Sequence, residues 1–374
     1  MTVLVTGASG LLGGAVARAL VARGDEVRTL QRRSSGVPGV EDVRGSVTDP
    51  AAVARAVEGV DAVVHLAAKV SLAGDPAEFR AVNVEGTGAL LDAAERAGVE
   101  RFVQVSSPSV AHLGSSLVGT STTPADPRHA RGEYARTKAA GELLALGRDR
   151  RRRPDGSGGT GPSVVAVRPH LVWGPGDTQL VERVLERAAG GRLPLLGHGA
   201  ALIDTLYVDN AADGILAALD RAHDVHGRAY VLTNGEPRTV ADLLTGICRA
   251  GGVEPPRWRV PAGVARVAGS LVEAVWRVRP GADEPPMTRF LAEQLSTAHW
   301  FDQRATRRDL RWRPAVSVDE GLRRLAAHYG GTASWRRSVV LCPTTTLTAA
   351  RVAATPELFA PRRAFETSWK SVAR

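Results

Sequence analysis

Short apolar runs alternate with stretches of helical periodicity along the first half of the chain. The runs are rich in Val and almost free of polar residues, which is typical of strands buried on both faces of a parallel sheet. They lie at Thr2–Thr6, Val27–Leu30, Ala62–Leu66, Phe102–Ser106 and Val164–Val167. The helical stretches lie at Leu11–Arg23, Pro50–Val57, Ala77–Ala97 and Arg131–Leu146. Because this alternation requires right-handed crossovers, the sequence predicts an α/β fold with a doubly wound parallel sheet.

Beyond Pro169 the pattern is less regular. Helices are predicted at Asp177–Ala189 and Asp209–Asp220, a strand at Ala229–Thr233, and two closing helices within 302–329. These elements are too few and too widely spaced to continue the alternation, so we expect a second, smaller part of the fold here.

Three segments have an unusual composition. Residues 148–163 resemble a linker in their Gly, Pro and Arg content, so we expect a flexible insertion. Residues 331–374 show no sustained period, so we expect a disordered tail. The segment Pro261–Val278 has one apolar helical face, which predicts a helix packed over a pocket; an interfacial membrane helix is the alternative.

The net charge of +9 is concentrated in two of these segments. The tail 331–374 carries +5 and the run Arg148–Arg153 carries +4, so the remainder is neutral. A nucleic-acid-binding surface needs clustered charge on ordered elements. We therefore expect no nucleic-acid partner.

Cysteine and histidine usage argues against a disulfide framework and against a metal site. Cys248 and Cys342 are the only cysteines, and His223 and His226 have no further ligand at a suitable spacing. We expect no bound metal. The chain shows neither a secretory signal nor an apolar run that could span a bilayer, so we expect a cytoplasmic protein without a transmembrane span.

Three glycines follow the first predicted strand, Gly7, Gly10 and Gly13 in TGASGLLGG. In a dinucleotide-binding loop one glycine makes a tight turn, one lets the backbone approach a pyrophosphate, and one lets the helix pack against the strand. The helix that follows directs free N–H groups at the phosphates. The position of the loop between the first strand and the first helix therefore predicts a Rossmann-like dinucleotide site.

This site suggests how the chain is divided. We expect residues 1–173 to form a dinucleotide-binding Rossmann domain, to which residues 207–233 and 301–329 return. Residues 174–206 and 234–300 are expected to form a smaller C-terminal part that caps the substrate.

The end of the second predicted strand selects the nucleotide. An NAD site usually places Asp or Glu there, whereas this chain has Gln31, followed by Arg32 and Arg33. A guanidinium binds a 2′-phosphate through two parallel hydrogen bonds. The sequence therefore favours NADP, while NAD stays open if both arginines are merely solvated loop charges.

Tyr134 and Lys138 lie four residues apart in a predicted helix, so their side chains share one face. The chain has four tyrosines and three lysines, so this spacing would rarely arise by chance. We expect the ammonium of Lys138 to lower the pKa of the Tyr134 phenol, which would make Tyr134 a general acid or base near neutral pH. A serine-rich strand end, Ser106–Ser109, is the expected source of a third group that polarises the reacting oxygen.

Together these motifs resemble the extended short-chain dehydrogenase/reductases. The resemblance covers residues 1–329 and includes the glycine loop, HLAA, NVEGT, SSPSV, YARTK and the dipeptide Arg168-Pro169. It implies that Ser107, Tyr134 and Lys138 are catalytic, with Ser106 as the alternative to Ser107. It also implies an NAD(P)-dependent oxidoreductase that interconverts a ketone and a secondary alcohol.

The same resemblance implies which residues contact the cofactor. Besides Tyr134 and Lys138, the expected cofactor-binding residues are Gly7, Ser9, Gly10, Leu11, Gly13, Gln31, Arg32, Arg33, Ser46, Val47, Leu66, Ala67, Ala68, Lys69, Asn83, Pro169 and His170. His170 either borders the nicotinamide or is an ordinary wall residue. The chain departs from the family at Gly45-Ser46, where the family has Gly-Asp with the Asp on the adenine.

Later motifs resemble the 3β-hydroxysteroid dehydrogenase branch of this family. They are RPHLVWGPGDTQLVERV, ALIDTLYVDNAADGI and AYVLTNGEP, and they are most similar to sterol-4α-carboxylate 3-dehydrogenases and 2-alkyl-3-oxoalkanoate reductases. This likeness implies a small, hydrophobic, lipid-like substrate. It leaves peripheral membrane contact and a homodimer open.

Two other functions remain open on the same fold. A nucleotide-sugar epimerase or dehydratase shares the loop and the Tyr/Lys pair, but such enzymes commonly carry an Arg where this chain has Ile203, and an apolar residue suits a lipid-like substrate better than a diphosphate. A non-enzymatic dinucleotide-sensing protein is the second alternative, although such proteins often lose the Tyr/Lys pair.

Overall fold

The structure is a computed structural model that describes residues 1–71, 74–111, 115–150, 161–277 and 289–330. For residues 273–277 and 289–291 it describes the backbone alone. The predicted disordered tail and residues 151–160 of the predicted insertion lie outside the described residues.

Fifteen strands and thirteen helices are assigned within the described ranges. The strands are β1 Thr2–Thr6, β2 Glu26–Gln31, β3 Val40–Arg44, β4 Ala62–His65, β5 Arg101–Val105, β6 Leu117–Thr120, β7 Ser163–Pro169, β8 Val172–Trp173, β9 Leu195–Leu196, β10 Leu202–Ile203, β11 Leu206–Tyr207, β12 Arg228–Leu232, β13 Arg238–Thr239, β14 Arg259–Val260 and β15 His299–Phe301. The helices are α1 Leu11–Ala22, α2 Pro50–Val57, α3 Pro76–Arg80, α4 Gly86–Ala97, α5 Gly132–Leu146, α6 Val181–Ala189, α7 Val208–Asp220, α8 Ala222–Val225, α9 Val240–Ala250, α10 Ala262–Arg277, α11 Arg289–Ser296, α12 Arg304–Asp309 and α13 Val318–Tyr329.

Seven parallel strands form the central sheet, in the order β12-β7-β5-β4-β1-β2-β3. Successive residues of a strand point to opposite faces, and both faces are covered. Val3 and Val5 of β1 belong to the core cluster that includes α1 and α7, whereas Leu4 belongs to the cluster that includes α2 and α4. Burial on both faces explains why the central strands are continuous apolar runs, and the predicted α/β fold is confirmed.

The structure differs from the sequence prediction at two places in this half. Strand β3 was not predicted, because it is a half-exposed edge strand whose residues, VEDVR, are mostly polar. The single helix expected at Ala77–Ala97 is α3 and α4 joined by a π-helical turn at Ala81–Glu85. Hydrophobic periodicity persists through such a turn, so the pattern alone does not show it.

A four-stranded sheet, in the order β13-β10-β15-β6, lies outside the central sheet. Strand β10 pairs with β13 in antiparallel and with β15 in parallel orientation. Strand β6 comes from the Ser- and Thr-rich loop before α5, where the sequence predicted no strand. Strands of two to four residues are too short to show a pattern of alternation.

The orientation of α10 is the reverse of the prediction for Pro261–Val278. Its buried residue Ala265 packs with Leu196 and Ala292, while Val264, Val267 and Leu271 are 58%, 63% and 65% exposed. Periodicity identified the apolar face correctly, but the helix packs through its small residues instead. The part of the apolar face whose side chains are described, Val264, Val267 and Leu271, therefore does not cover a pocket. Among the described residues, no helix is both long and apolar enough to cross a membrane.

The ends of the predicted insertion are held by side-chain contacts. Arg148 Nη1 lies 2.6 Å from Asp92 Oδ1 on α4. Asp149 accepts the N–H of Val164 at 2.8 Å, and its second oxygen lies 2.7 Å from His226 Nδ1. Part of the charge attributed to an appendage is therefore paired with the folded core.

Candidate active site

The carboxyl ends of β1, β4, β5 and β7 meet at one edge of the central sheet, and the strand order reverses at β1. Ligands of doubly wound sheets bind at this kind of switch point. The predicted site residues follow these ends, with Gly7 after β1, Leu66 after β4, Ser107 after β5 and His170 after β7. The topology thus brings together residues that are far apart in the sequence.

The glycine loop is shaped to receive a dinucleotide. Gly7 has φ of +77°, and a Cβ on it would come within 2.9 Å of the Ala67 nitrogen. A Cβ on Gly13 would overlap the Gly7 carbonyl oxygen, so α1 packs against the loop only with glycine there. Gly10 is the N-cap of α1, and no side chain caps the helix. The first N–H groups of α1 therefore remain for a ligand and fit a pyrophosphate.

Gln31 links the glycine loop to the edge of the sheet. Its Oε1 accepts the N–H of Ser9 at 2.7 Å, and its Nε2 donates to Asp42 Oδ1 at 3.2 Å. Asp42 also accepts hydrogen bonds from Thr29 at 2.6 Å and Ser34 at 2.7 Å. Burial raises the pKa of Asp42, but these hydrogen bonds outweigh it and lower the pKa to about 2. Sequence analysis missed this carboxylate because it lies on β3, whose register places Asp42 beside Thr29.

Arg32 and Arg33 follow β2 and are exposed. In the part of the chain that the structure describes, neither guanidinium forms a hydrogen bond or an ion pair. The predicted contact at Ser46 has no carboxylate, and its hydroxyl lies 2.8 Å from Thr48 Oγ1. Val47 is buried in the core. The adenosine end of the site therefore presents two unpaired positive charges.

A chain of buried hydrogen bonds fixes the backbone after β4. Thr6 Oγ1 accepts the N–H groups of Leu66 at 3.1 Å and Ala67 at 3.0 Å, so its own proton is directed at His65 Nδ1, 2.7 Å away. His65 Nε2 then donates to Thr87 Oγ1 at 3.1 Å. Burial is the main cause that lowers the pKa of His65 to about 3, so the ring stays neutral. Sequence analysis quoted His65 in a motif and assigned it no role.

Asn83 lies in the π-helical turn and is 2% exposed. Its Oδ1 accepts the N–H of Lys69 at 2.7 Å, and its Nδ2 donates to Thr137 Oγ1 on α5 at 3.0 Å. These bonds use the amide within the protein, so Asn83 positions the loop after β4 against α5. The Lys69 ammonium pairs with Glu78 and lies 5.4 Å from the centroid of the Phe79 ring. Ala68, between these residues and Ala67, is half-buried.

Ser107 and Tyr134 are brought together across the strand end. Both are half-buried, and the Ser107 hydroxyl lies close enough to the Tyr134 phenol to act on its pKa. Ser109 Oγ donates to Ser107 Oγ at 3.0 Å. The Oγ of Ser106, by contrast, is buried and has no hydrogen-bond partner in the described ranges. Of the two serines, Ser107 is therefore the one that contacts the tyrosine.

The electrostatics of the Tyr/Lys pair differ from the sequence prediction. Burial raises the pKa of Tyr134, and the Ser107 hydroxyl opposes this effect. Lys138 is 4% exposed, and its Nζ donates to the Val105 carbonyl at 2.6 Å. Burial lowers the pKa of Lys138 to about 8 despite the negative charge of Glu142. Burial thus shifts the pKa of Tyr134 upward on balance, opposite to the expected direction, and a lowering contribution from Lys138 stays a prediction.

A buried ion pair holds α5 against β7. Arg168 Nε lies 2.9 Å from Glu142 Oε2, and its Nη2 lies 2.5 Å from Oε1. The third arm, Nη1, donates to the Thr123 carbonyl at 2.7 Å. Because Glu142 is one helical turn beyond Lys138, this pair fixes the helix that carries the candidate catalytic residues.

His170 follows Pro169, the last residue of β7, and is 4% exposed. Its Nδ1 donates to the Asp204 carbonyl at 2.6 Å, and its ring centroid lies 5.2 Å from that of Phe301. Of the two interpretations left open, this burial favours a wall residue at the edge of the site.

Comparison with known proteins supports this interpretation of the motifs. Residues 3–233 match a model of the NAD dependent epimerase/dehydratase family. The 2-alkyl-3-oxoalkanoate reductase of Stenotrophomonas maltophilia is 40% identical over 336 residues, covering 87% of this chain and 99% of the relative. The 3 beta-hydroxysteroid dehydrogenase/Delta 5-->4-isomerase of Mycobacterium tuberculosis is 31% identical over 344 residues, covering 87% of this chain and 90% of the relative.

Solved structures show the same architecture. The dTDP-glucose 4,6-dehydratase DesIV of Streptomyces venezuelae, a double mutant solved with NAD bound, superimposes with a TM-score of 0.67 at 26% identity, covering 90% of this chain and 98% of DesIV. The matched family spans the glycine loop, the Tyr/Lys helix and β12. The chain therefore belongs to the NAD dependent epimerase/dehydratase family, the extended short-chain dehydrogenase/reductases, and is an NAD(P)-dependent oxidoreductase.

Proposed function

We propose that this enzyme reduces the ketone of a hydrophobic, lipid-like substrate to a secondary alcohol, with NADPH as the cofactor. The observation that carries the proposal is the proximity of the Ser107 hydroxyl to the Tyr134 phenol at the carboxyl edge of the sheet, where it acts on the pKa of Tyr134. Lys138 lies one turn further along the same helix. A hydroxyl, a phenol and an ammonium placed in this way suit proton transfer to a carbonyl oxygen.

The glycine loop and the start of α1 would hold the pyrophosphate of the dinucleotide. When bound, the reduced nicotinamide supplies a hydride. Ser107 hydrogen-bonds the carbonyl oxygen of the substrate and keeps it within reach of Tyr134. Because the pKa of Tyr134 is raised, its phenol is protonated near neutral pH and can give its proton to that oxygen. This protonation state favours the direction of ketone reduction.

Lys138 has a separate part in this mechanism. Its Nζ is anchored on the Val105 carbonyl, and its remaining N–H groups are available to the ribose of the cofactor. With a pKa near 8 it is mostly protonated at neutral pH. Its positive charge then stabilises the negative charge that develops as Tyr134 gives up its proton.

The substrate class is proposed from one position and one relative. Ile203, at the position where nucleotide-sugar enzymes commonly carry an Arg, is 2% exposed on β10 and offers no charge to a diphosphate. The relative with 40% identity is a 2-alkyl-3-oxoalkanoate reductase. Both support a 3-oxo acid with an alkyl branch, and a 3-ketosteroid is the second member of the same class.

The preference for NADPH is proposed from Arg32 and Arg33. Both are exposed at the end of β2 and have no ion pair within the described residues, and Gln31 replaces the acid that an NAD site usually has there. The nearby Asp42 carboxylate is engaged by Thr29, Ser34 and Gln31. Two free guanidiniums favour a 2′-phosphate.

A nucleotide-sugar enzyme is the rival function, since DesIV shares the fold. To separate the two, NADPH oxidation is followed by nicotinamide absorbance with 3-oxo acids of increasing chain length and with a 3-ketosteroid. A nucleotide sugar is assayed by analysis of its products, because epimerisation and dehydration cause no net oxidation of the cofactor. We expect kcat/KM to rise about fourfold per added methylene, because burying one methylene group contributes about 0.8 kcal/mol. Conversion of the nucleotide sugar, with no turnover of any ketone, would overturn the proposal.

A further inference from the structure

A second cavity, of about 470 Å³, lies between the four-stranded sheet and the start of α12. Its walls come from β6, β15, the turn that follows Asn234, and α12. None of Ser107, Tyr134 and Lys138 lines it. Its polar groups are therefore not explained by the proposed proton transfer.

Gln303, which lines this cavity, is 5% exposed. Neither its Oε1 nor its Nε2 has a hydrogen-bond partner within the described residues. An amide that is buried without partners costs about 1–3 kcal/mol, so a buried glutamine is normally paired. An orphaned amide at the wall of a cavity indicates a ligand that satisfies it.

Arg307 lies one helical turn beyond Gln303 and also lines the cavity. Its Nε is buried without a partner, and its guanidinium forms no ion pair in the described part of the chain. The other arginines of α12 are paired, Arg304 with Asp302 and Arg308 with Asp309. Arg304 and Arg307 both line the cavity, and of these two only Arg307 has no ion pair among the described residues.

The adjoining turn leaves room for this guanidinium. Gly235 has φ of +69°, and a Cβ on it would overlap Arg307 Nη2. Any other residue at this position would therefore displace the arginine from the wall. The close approach of Gly235 shows that the orientation of Arg307 is built into the fold.

The carboxylates at the cavity are already engaged. Asp204 accepts hydrogen bonds from Thr233 Oγ1 at 2.8 Å and from the N–H of Gly235 at 3.0 Å. Asp302 is paired with Arg304 at 2.7 Å. The two carboxylates balance the two guanidiniums of the lining in number, so the cavity has no net charge. Among the described residues, the Arg307 guanidinium and the Gln303 amide are left with unused N–H donors. Its wall also includes the aromatic residue Phe301.

We infer that this cavity binds the carboxylate of an organic acid, with Arg307 as the anion-binding residue and Gln303 as a second hydrogen-bond donor. A guanidinium pairs with a carboxylate through two parallel N–H bonds, and the aromatic wall accepts an attached apolar chain. The cavity adjoins the candidate active site, because Phe301 contacts the His170 ring and His170 bonds the Asp204 carbonyl. The carboxylate could belong to the substrate itself or to a separate acid.

Binding is tested first without any reaction. Titration calorimetry with hexanoate, which has no ketone to reduce, measures the affinity of the full chain, and hexanamide tests for the charge. Arg307→Met should weaken hexanoate binding by roughly tenfold to a hundredfold, since a hydrogen bond to a charged group contributes about 1.5–3 kcal/mol. Arg308→Met is the matched control, because Arg308 lies on the same helix, is paired with Asp309 and does not line the cavity. Equal binding of hexanoate by the wild type and Arg307→Met would overturn the inference.

Gln303→Leu separates a binding role from a structural one. Leu removes both orphaned polar atoms, so the variant should unfold at a higher temperature than the wild type and bind hexanoate less tightly. Arg307→Lys, which keeps the charge and loses the two-pronged geometry, should bind with intermediate affinity. A Gln303→Leu variant that is less stable and binds hexanoate normally would show that the amide is structural.

The source of the carboxylate is identified kinetically, and this step alone rests on the proposed function. A 3-oxo acid is compared with its methyl ester. If the substrate supplies the carboxylate, Arg307→Met raises KM for the acid and leaves the ester unchanged. If a separate acid binds, hexanoate affinity falls in the variant while both KM values stay the same. Either result supports the site, and a failure of ketone reduction leaves the hexanoate titration interpretable.

Discussion

The two ligand-binding regions of this enzyme differ in how their buried polar groups are satisfied. At the cofactor edge of the central sheet, hydrogen bonds link Thr6, His65 and Thr87. The side-chain amide of Asn83 is hydrogen-bonded to the loop after β4 and to helix α5. In the cavity beside the four-stranded sheet, Gln303 has no partner among the described residues.

This difference indicates that the two regions have different roles. Much of the cofactor edge is pre-formed, because Thr6, His65, Thr87 and Asn83 are paired before any ligand arrives, although the Oγ of Ser106 is not paired among the described residues. In the second cavity, Gln303 and Arg307 have polar atoms without partners among the described residues, and a bound ligand would supply those partners. We therefore expect substitutions at the first region to damage folding or chemistry, and substitutions at the second region to change the choice of ligand.

The largest effect is expected from Tyr134→Phe, at the catalytic end of the pre-formed region. Loss of the proton donor should lower kcat by about 10²–10⁴-fold, the usual contribution of general acid catalysis. NADPH binding should persist, because the ring still packs. Tyr230→Phe is the matched control, since its hydroxyl bonds Asp309 away from the site. Near-wild-type turnover by Tyr134→Phe would reject this residue as the proton donor.

The second largest effect concerns the buried pair of Arg168 and Glu142. Glu142→Gln leaves the Arg168 charge buried without its counter-ion, which should lower the free energy of unfolding by about 3–5 kcal/mol. Chemical denaturation measures the loss. The double variant Arg168→Met/Glu142→Leu should recover most of the stability, because no charge is then stranded. If the single variant were as stable as the wild type, the buried pair of Arg168 and Glu142 would not stabilise this region.

A smaller effect is expected from pH. The pKa of Lys138 lies near 8, below its ordinary value, so its ammonium loses its proton as the pH rises through about 8. NADPH affinity should therefore be constant below that pH and fall above it, by roughly tenfold once Lys138 is neutral. Lys138→Arg, which stays protonated, should give a flat profile over the same range. An unchanged slope in Lys138→Arg would assign the titration to another group.

The smallest effect is expected at Arg32 and Arg33, which are exposed and screened by solvent. The double variant Arg32→Ala/Arg33→Ala should weaken NADPH binding by roughly tenfold and leave NADH binding unchanged, because only NADPH carries a 2′-phosphate. Fluorescence titration with both cofactors measures the ratio. Arg44→Ala, on the neighbouring strand β3, is a control for the loss of one exposed positive charge and is compared with each single variant, Arg32→Ala and Arg33→Ala. Tighter binding of NADH than of NADPH by the wild type would contradict the proposed preference.

Local patterns in the sequence were enough to predict the cofactor loop. Gly13 is required by its contact with the Gly7 carbonyl, which lies close by in the chain, although Gly7 itself is required by the backbone of Ala67 after β4. Tyr134 and Lys138 were found because four residues make one turn of a helix. Their pKa values were not predictable in the same way, because burial depends on segments such as β5 and β7 that pack around them from elsewhere in the chain.

Residues that act across distant segments escaped prediction. Asp42 meets Thr29 through strand pairing, and Gln303 meets its cavity through a small sheet whose strands are two to four residues long. The residues of the apolar face of α10 were identified correctly, but the face was expected to point inward, whereas its described part points to solvent. Periodicity shows which residues share a face and does not show what that face contacts. The division of the chain into two domains stays a prediction.

The π-helical turn at Ala81–Glu85 sets the directions in which the side chains of α4 point relative to those of α3. A π-turn accommodates one residue more than an α-turn, and one residue corresponds to about 100° of rotation. The turn therefore lets Leu90 and Leu91 of α4 point into the core while Asn83 faces Lys69 and Thr137. Deleting a single residue here would restore a regular helix and rotate one set of side chains out of place. The alignment of the core with the cofactor edge is thus encoded in chain length as well as in side-chain identity.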